Sequence, residues 1–298
     1  MSQLRVDPAR RSAGAELRAQ LRGARLYLVT DDATPEEQLP RLITAAVAGG
    51  ADVVQLRRKQ TAAADLTELA RACRDAAHAG GALFIVDDHV ELARAIQADG
   101  VHLGQADLDP ETARARLGPE LLIGLSTHSR SDVTRASKKP VDYLAAGPVN
   151  ATPTKPGRPA VGFDHVRTAA SWASVPVVAI GGLGRGSAGQ AVAAGADMVG
   201  VVRAICTADD PAGAARELRE EIQAAPRWVE LELNGEPRRC PPGSSMVDLL
   251  ARLEVGVAGV VVEINGGILR PDELARVEVV TGDQVEVVHL VGGGKSHD

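Results

Sequence analysis

The sequence predicts an α/β protein: a (β/α)8 TIM barrel followed by a small α+β domain. Three observations carry this. Between about residues 25 and 205, short β-branched runs alternate with longer Ala/Leu/Arg-rich amphipathic stretches. The joints AVAGGADVVQL, ARAIQADGVHL and AVAAGADMVGV repeat one pattern, a helix ending on small or Gly residues, then Asp, then a strand. Past about residue 225 the texture changes to short alternating strands joined by Asn-Gly turns.

The candidate strands are RLYLVT (25–30), DVVQL (52–56), LFIV (83–86), GVHL (100–103), LLIGLS (121–126), DYLAAG (142–147), PVVAI (176–180) and DMVGVV (197–202). Each is apolar on both faces, as expected of parallel strands buried between helices and a packed interior. Eight repeated βα units favour a closed barrel, although periodicity leaves an open sheet available. Residues 1–24 read as an exposed arm or short helix, 25–225 as the barrel and 226–298 as the second domain. ADDPAGAARELREEIQAA is a last barrel helix with Pro211 near its start, where a missing N–H costs little. Beyond it, roughly 227–291 reads ββαββ, with Asn234-Gly235 at a hairpin turn and SSMVDLLARL as a capped helix.

Composition bounds the function classes. The 298 residues are 45% hydrophobic and 24% charged, with a formal net charge of −6, so nothing draws the chain toward nucleic acid. No apolar run reaches the ~20 residues of a membrane span and no secretory segment is present, so a cytoplasmic protein is expected. Cys73, Cys206 and Cys240 are isolated and suggest neither disulfides nor zinc.

In such a barrel, reactive groups sit where strands end and βα loops begin. Strand two ends Gln55-Leu56-Arg57-Arg58-Lys59, and alternation puts Gln55, Arg57 and Lys59 on one side, either to converge on an anion or to form a solvated basic turn. Strands three and four end in Asp87-Asp88-His89 and in His102 followed by Asp107; carboxylates beside cations suit Mg²⁺ holding a polyphosphate. His89 and His102, 13 residues apart without Cys partners, make a poor zinc site. Ser126 near His128 suggests a polar substrate contact rather than a nucleophile, because no elbow motif surrounds it. Thr152, Thr154 and Lys155 sit on a Pro-stiffened loop suited to phosphate, or on a rigid surface loop. Gly181-Gly182 after strand seven and Val202-Arg203 after strand eight offer a backbone phosphate site, since barrels often use their last two loops for that purpose. Two anion sites imply two phosphorylated substrates, one of them a pyrophosphate.

The segments QLRRK, VDDH, HLGQAD, GLSTH, ATPTK, AIGG and GADMVGVVRAI, in this order, resemble thiamine-phosphate synthase across about 25–222. The resemblance implies a transferase that joins hydroxymethylpyrimidine pyrophosphate to hydroxyethylthiazole phosphate with release of pyrophosphate. It implies that Gln55, Arg57 and Lys59 contact the pyrimidine pyrophosphate, Asp88 and Asp107 bind Mg²⁺, Ser126 and Lys155 hold the pyrophosphate, and Thr152, Thr154 and Gly182 the thiazole phosphate. Arg57, Lys59, Ser126 and Lys155 are the expected catalytic residues; Asp87, Val202 and Arg203 complete the substrate-binding set. The chain departs from the family pattern at Asp87 (usually Asn), His89 (usually Arg), Arg58 (usually acidic) and Asn150-Ala151 (usually aromatic-Pro). Asp87 would add negative charge beside the pyrophosphate. A thiazole tautomerase or a non-catalytic scaffold are the rival readings.

The second domain resembles the sulfur carrier protein of thiazole biosynthesis, a ubiquitin-like β-grasp module, through LNGEPRRCPPGSSMVDLL, VAGVVVEINGGILRP and GDQVEVVHLVGGG. That implies an adenylating enzyme and a thiazole synthase as partners, engaged through a flexible Gly293-Gly294 tail. Here Lys295-Ser296-His297-Asp298 follows Gly294, so the tetrapeptide is expected to be removed, or the domain no longer carries sulfur.

Overall fold

A computed structural model describes residues 8–59, 61–62, 64–152, 159–257 and 259–289. Helix α1 (Pro8–Gly23) leads into the first βα unit, β1 (Leu26–Val29) with α2 (Leu39–Ala48). There follow β2 (Val53–Leu56) with α3 (Thr67–Ala79), β3 (Leu83–Asp87) with α4 (Val90–Ala95), and β4 (Gly100–Leu103) with α5 (Pro110–Leu117). The second half holds β5 (Leu122–Thr127) with α6 (Arg130–Ala136), β6 (Tyr143–Ala146) with α7 (Gly162–Trp172) and β7 (Val177–Ile180) with α8 (Ala188–Ala193). It ends with β8 (Met198–Val201), α9 (Arg203–Cys206) and α10 (Pro211–Ala224). All eight strands are parallel and the barrel closes, with Tyr27 of β1 beside Gly200 of β8. Closure, which periodicity left open, is therefore settled.

Alternation along β1 shows how the core divides. Leu26 and Leu28 pack outward under the helices, whereas Tyr27 and Val29 point inward with Val53, Ile85, Tyr143 and Val178. The repeated Asp of the joints has a mechanical role. Asp52, Asp99, Asp142 and Asp197 each precede an even strand, and each carboxylate accepts an N–H at the start of the odd strand before it, from Leu26, Phe84, Ile123 and Val177 at 2.6–3.0 Å. Four latches thus tie strand pairs together at the N-terminal face. Basic side chains back them: Arg219 on Asp52, His78 on Asp99, and Arg18 with Arg114 on Asp142.

Of the two readings of the N-terminal segment, the short helix holds for its described residues. Helix α1 lies across the N-terminal face, with Leu21 buried against Ala24, Tyr27, Leu83 and Leu122, and Arg18 pairing with Asp142 at 2.7 Å. Two apolar positions, Leu17 and Leu21, one turn apart, give the helix its buried stripe and stopper the barrel.

The second domain comprises β9 (Val229–Leu233), β10 (Glu236–Cys240), α11 (Met246–Arg252), β11 (Val260–Ile264), β12 (Gly267–Leu269) and β13 (Gln284–His289), in sheet order β10-β9-β13-β11-β12. The expected ββαββ therefore gains a strand. Asn265 and Gly266 both take positive φ, 51° and 83°, and this tight turn folds GIL back onto β11 as β12. Asn234-Gly235 makes the first hairpin the same way, at 50° and 75°. A capping box, Ser245 with Asp248, starts α11. Leu249, Leu250, Val262 and Val285 form this domain's own core.

The domain is seated along the barrel's flank, from Asp197 before β8 to Arg130 at the start of α6, which pairs with Glu254 at 2.6 Å. Arg239 of β10 pairs with the fourth latch, Asp197, at 2.5 Å, and Trp228 Nε1 donates to Ala193 O at 3.0 Å. Gly195 is required here, because a Cβ would lie 2.7 Å from the Trp228 ring.

Leu21 is 1% exposed, so Leu21→Ala is expected to lower stability by about 2–5 kcal/mol in urea unfolding. A loss under about 0.5 kcal/mol, the range of ordinary surface changes, would mean that α1 does not stopper the barrel.

Candidate active site

The C-terminal mouth opens into a cavity of about 310 Å³. Of the residues expected from sequence, Gln55, Arg57, Asp87, Ser126, Thr152, Gly182, Val202 and Arg203 line it. Lys59, Asp88 and Asp107 stand at the rim through their contacts with this set, whereas Thr154 and Lys155 lie outside the described residues. Eight strand ends brought into one ring explain how residues far apart in sequence meet here.

The charged half belongs to β2, β3 and β4. Arg57 donates to Asp32 Oδ2 at 2.8 Å and holds its Nε 3.8 Å from Asp87 Oδ2. Lys59 Nζ lies 3.1 Å from Asp87 Oδ2 and pairs with Asp88. Burial pulls the Lys59 ammonium down, but its bond to Asp88 and the charges of both aspartates outweigh that and raise it. Asp88 sits at φ +59°, a conformation that Asp tolerates better than most residues. Its carboxyl is raised to about 6 by burial first, then by the Asp87 charge and contact with Asp107, against the pull of Lys59. Asp107 is exposed and its Oδ2 accepts the Gly104 N–H at 2.7 Å.

This crowding fits a divalent cation. Asp107 is close enough to raise the Asp88 carboxyl, while Arg57 Nε and Asp87 Oδ2 are buried without a hydrogen bond among the described residues. Mg²⁺ takes one or two carboxylates and completes its octahedron with phosphate oxygens and water, which this pair leaves room for. No group of three His, Cys, Asp or Glu side chains is gathered among the described residues, so the set is unlike an all-protein metal cage.

The uncharged floor belongs to β1, β2, β4, β5 and β6. Ser126 Oγ lies 2.9 Å from His102 Nε2, and His102 Nδ1 lies 3.2 Å from Tyr143 Oη. The Ser126 partner is therefore the buried His102 of the neighbouring strand; the His128 ring nitrogen instead meets Gly147 O at 2.5 Å. Glycine at 124 makes room for this floor, because a Cβ there would lie 2.1 Å from Tyr143 Cζ. Across the mouth, Gly181 and Gly182 take φ +105° and +62° and close against Pro148 and Asn150, which L side chains would strain.

The departures now separate by place. Arg58 turns away from the cavity, 7% exposed, and donates to Thr34 O at 2.5 Å. His89 precedes α4 and does not line the cavity. Asn150 donates to Gly182 O at 3.1 Å and so ties the β6 loop to the β7 loop, while Ala151 lines the wall. Asp87 alone places an altered charge inside, where Gln55, Lys59 and Arg57 surround it.

Sequence reasoning missed Tyr27, Tyr143 and Asp32. The two tyrosines are the chain's only ones, both inside predicted strands, and a chain with 2% aromatics spends them on the cavity floor. Asp32 follows the first strand, the one strand end whose Thr-Asp-Asp was not read for chemistry.

With the geometry in place, the comparisons decide the lineage. The pattern of the family described as Thiamine monophosphate synthase matches residues 26–205. The chain belongs to that family. Its members here are transferases. A thiamine-phosphate synthase of Thermobifida fusca is 46% identical over 211 residues, covering 70% of this chain and 97% of that relative. One from Gloeobacter violaceus is 47% identical over 200 residues, covering 67% of this chain but only 58% of the relative's length. The solved thiamine phosphate pyrophosphorylase of Pyrococcus furiosus superposes with a TM-score of 0.62 at 35% identity, over 70% of this chain and 98% of its own. The second domain matches the ThiS family over residues 231–294. No helix among the described residues is long and apolar enough to cross a membrane.

Gly124→Ala is expected to push Tyr143 into the cavity and to cost about 1–3 kcal/mol in urea unfolding. An unchanged stability and an unmoved Tyr143 ring in a crystal structure of the variant would show that the floor is not packed as described.

Proposed function

We propose that the barrel condenses hydroxymethylpyrimidine pyrophosphate with hydroxyethylthiazole phosphate to give thiamine phosphate and pyrophosphate. The observation that carries this is the juxtaposition of Asp87, Asp88 and Asp107 with Lys59 and Arg57 on the rim of one cavity. A tautomerase acting on the thiazole phosphate alone would have no use for such a group.

In this reading Asp88 and Asp107 hold Mg²⁺, which when bound screens the charge of the departing pyrophosphate. Arg57 and Lys59 supply the remaining positive charge to pyrophosphate oxygens. As the C–O bond breaks, its electron pair leaves with pyrophosphate and the methylene carbon becomes cation-like. The thiazole nitrogen then forms the new C–N bond, so no enzyme nucleophile is needed and Ser126 stays unmodified. Thr152 and the Gly182 backbone hold the thiazole phosphate, with Val202 and Arg203 on the same wall, and fix the nitrogen in line. Thr154 and Lys155 are assigned to the same phosphates by resemblance alone.

The second domain, in the same proposal, carries sulfur for thiazole formation. The ThiS family match and the β-grasp topology support this. Its partners in that role would be separate enzymes, an adenylating enzyme and a thiazole synthase.

Release of pyrophosphate should require Mg²⁺ and both substrates together. Arg57→Gln should lower kcat/KM by about ten- to a hundredfold, the worth of a hydrogen bond to a charged group, and Asp107→Ala should lower it and weaken Mg²⁺ dependence. Turnover without metal, or an Asp107→Ala enzyme with unchanged kcat/KM, would remove the metal assignment. For the carrier, mass spectrometry of the protein from its native host should find chains ending at Gly294. If no molecule ends there, the carrier role fails.

A further inference from the structure

A buried file of hydrogen bonds crosses the cavity floor from the charged rim to Ser126. Gln55 Nε2 donates to Asp87 Oδ1 at 2.7 Å, and Gln55 Oε1 lies 2.8 Å from Tyr27 Oη. Tyr27 Oη is 2.8 Å from Tyr143 Oη, which lies 3.2 Å from His102 Nδ1; His102 Nε2 is 2.9 Å from Ser126 Oγ. Five contacts therefore link the carboxylate of β3 to the hydroxyl of β5 through β2, β1, β6 and β4.

The direction of every bond follows from its first member. A carboxylate only accepts, so the Gln55 amide must turn its NH2 to Asp87 and its carbonyl to Tyr27. Tyr27 spends its single hydrogen on that carbonyl, so Tyr143 must donate to Tyr27. Tyr143 then has only lone pairs left for His102, so Nδ1 of the imidazole carries the hydrogen. In a neutral ring Nε2 is then an acceptor, and Ser126 donates to it. Burial pushes both phenols above their ordinary range, so each keeps the hydrogen this scheme needs.

We propose that Asp87 is a positioning residue that sets the polarity of this file, fixing His102 as the neutral Nδ1–H tautomer and turning the Ser126 hydrogen inward. An Asn at 87 could present either its oxygen or its NH2 to Gln55, so the file could run in both directions. Asp allows one. The Ser126 oxygen accordingly meets the cavity with its lone pairs, and the hydroxyl must leave His102 before it can donate to a pyrophosphate oxygen. The charge at Asp87 is balanced by Lys59 and Arg57, so direction is bought without an unpaired carboxylate.

The tautomer can be read without substrate, so this proposal and the synthase reading fail separately. Nitrogen-15 NMR of the histidine-labelled protein, with His102 assigned by difference against His102→Asn, should show a single neutral tautomer protonated at Nδ1. Asp87→Asn should populate the second tautomer to roughly a tenth or more, and should lower KM for the pyrimidine pyrophosphate several-fold with a smaller change in kcat, because Ser126 is then free to donate to it. Tyr143→Phe, which cuts the file while keeping Asp87, should release the tautomer as well, and serves if Asp87→Asn fails to fold. An Nε2-protonated His102 in the parent protein would overturn the proposal, as would a tautomer identical in the parent and in either folded variant.

Discussion

Like charges held close together dominate this molecule. Asp87, Asp88 and Asp107 stand at neighbouring strand ends, and Lys59 and Arg57 offset them within the rim. Left to itself such a group would disperse, and Asp88 shows the cost in a carboxyl raised to about 6 by burial and its acidic neighbours. A closed barrel prevents dispersal, because each strand end is fixed by pairing on both sides. A cation and a pyrophosphate relieve the same charges, so the constraint and the proposed chemistry have one origin.

Stability and function divide between the two faces of the barrel. The N-terminal face is sealed by Leu21 and four aspartate latches, each tying one strand to the next. One latch, Asp197, also receives Arg239 from the second domain, so the β-grasp unit is anchored by a device that the barrel already used internally. The opposite face gathers its charged groups, Arg57, Lys59 and Asp87 among them, around the cavity. No described residue of the second domain lines the cavity.

Much of this was legible in the sequence because parallel strands buried on both faces read as continuous apolar runs, and all eight were placed within a residue or so of their ends. The rim was legible too, since Arg57, Lys59, Asp88 and Asp107 follow strands directly. The inward file was not. Whether a tyrosine fills a core or a cavity depends on which strands become neighbours, and Tyr27 meets Tyr143 across 116 positions. The burial of helix α1 against the barrel escaped because its buried stripe is only two leucines wide within the described turns. Strand β12 escaped because three residues after a turn carry almost no periodic signal. Arg58, which alternation places opposite Arg57, is buried and donates to Thr34 O outside the cavity.

The account rests on those carboxylates and cations serving one ligand, and crystals grown with Mg²⁺ and pyrophosphate test that most directly. Difference density should show the metal bridging Asp88 and Asp107 to pyrophosphate oxygens, with Arg57 and Lys59 on the same anion. Pyrophosphate bound elsewhere, or a metal that ignores both aspartates, would contradict it.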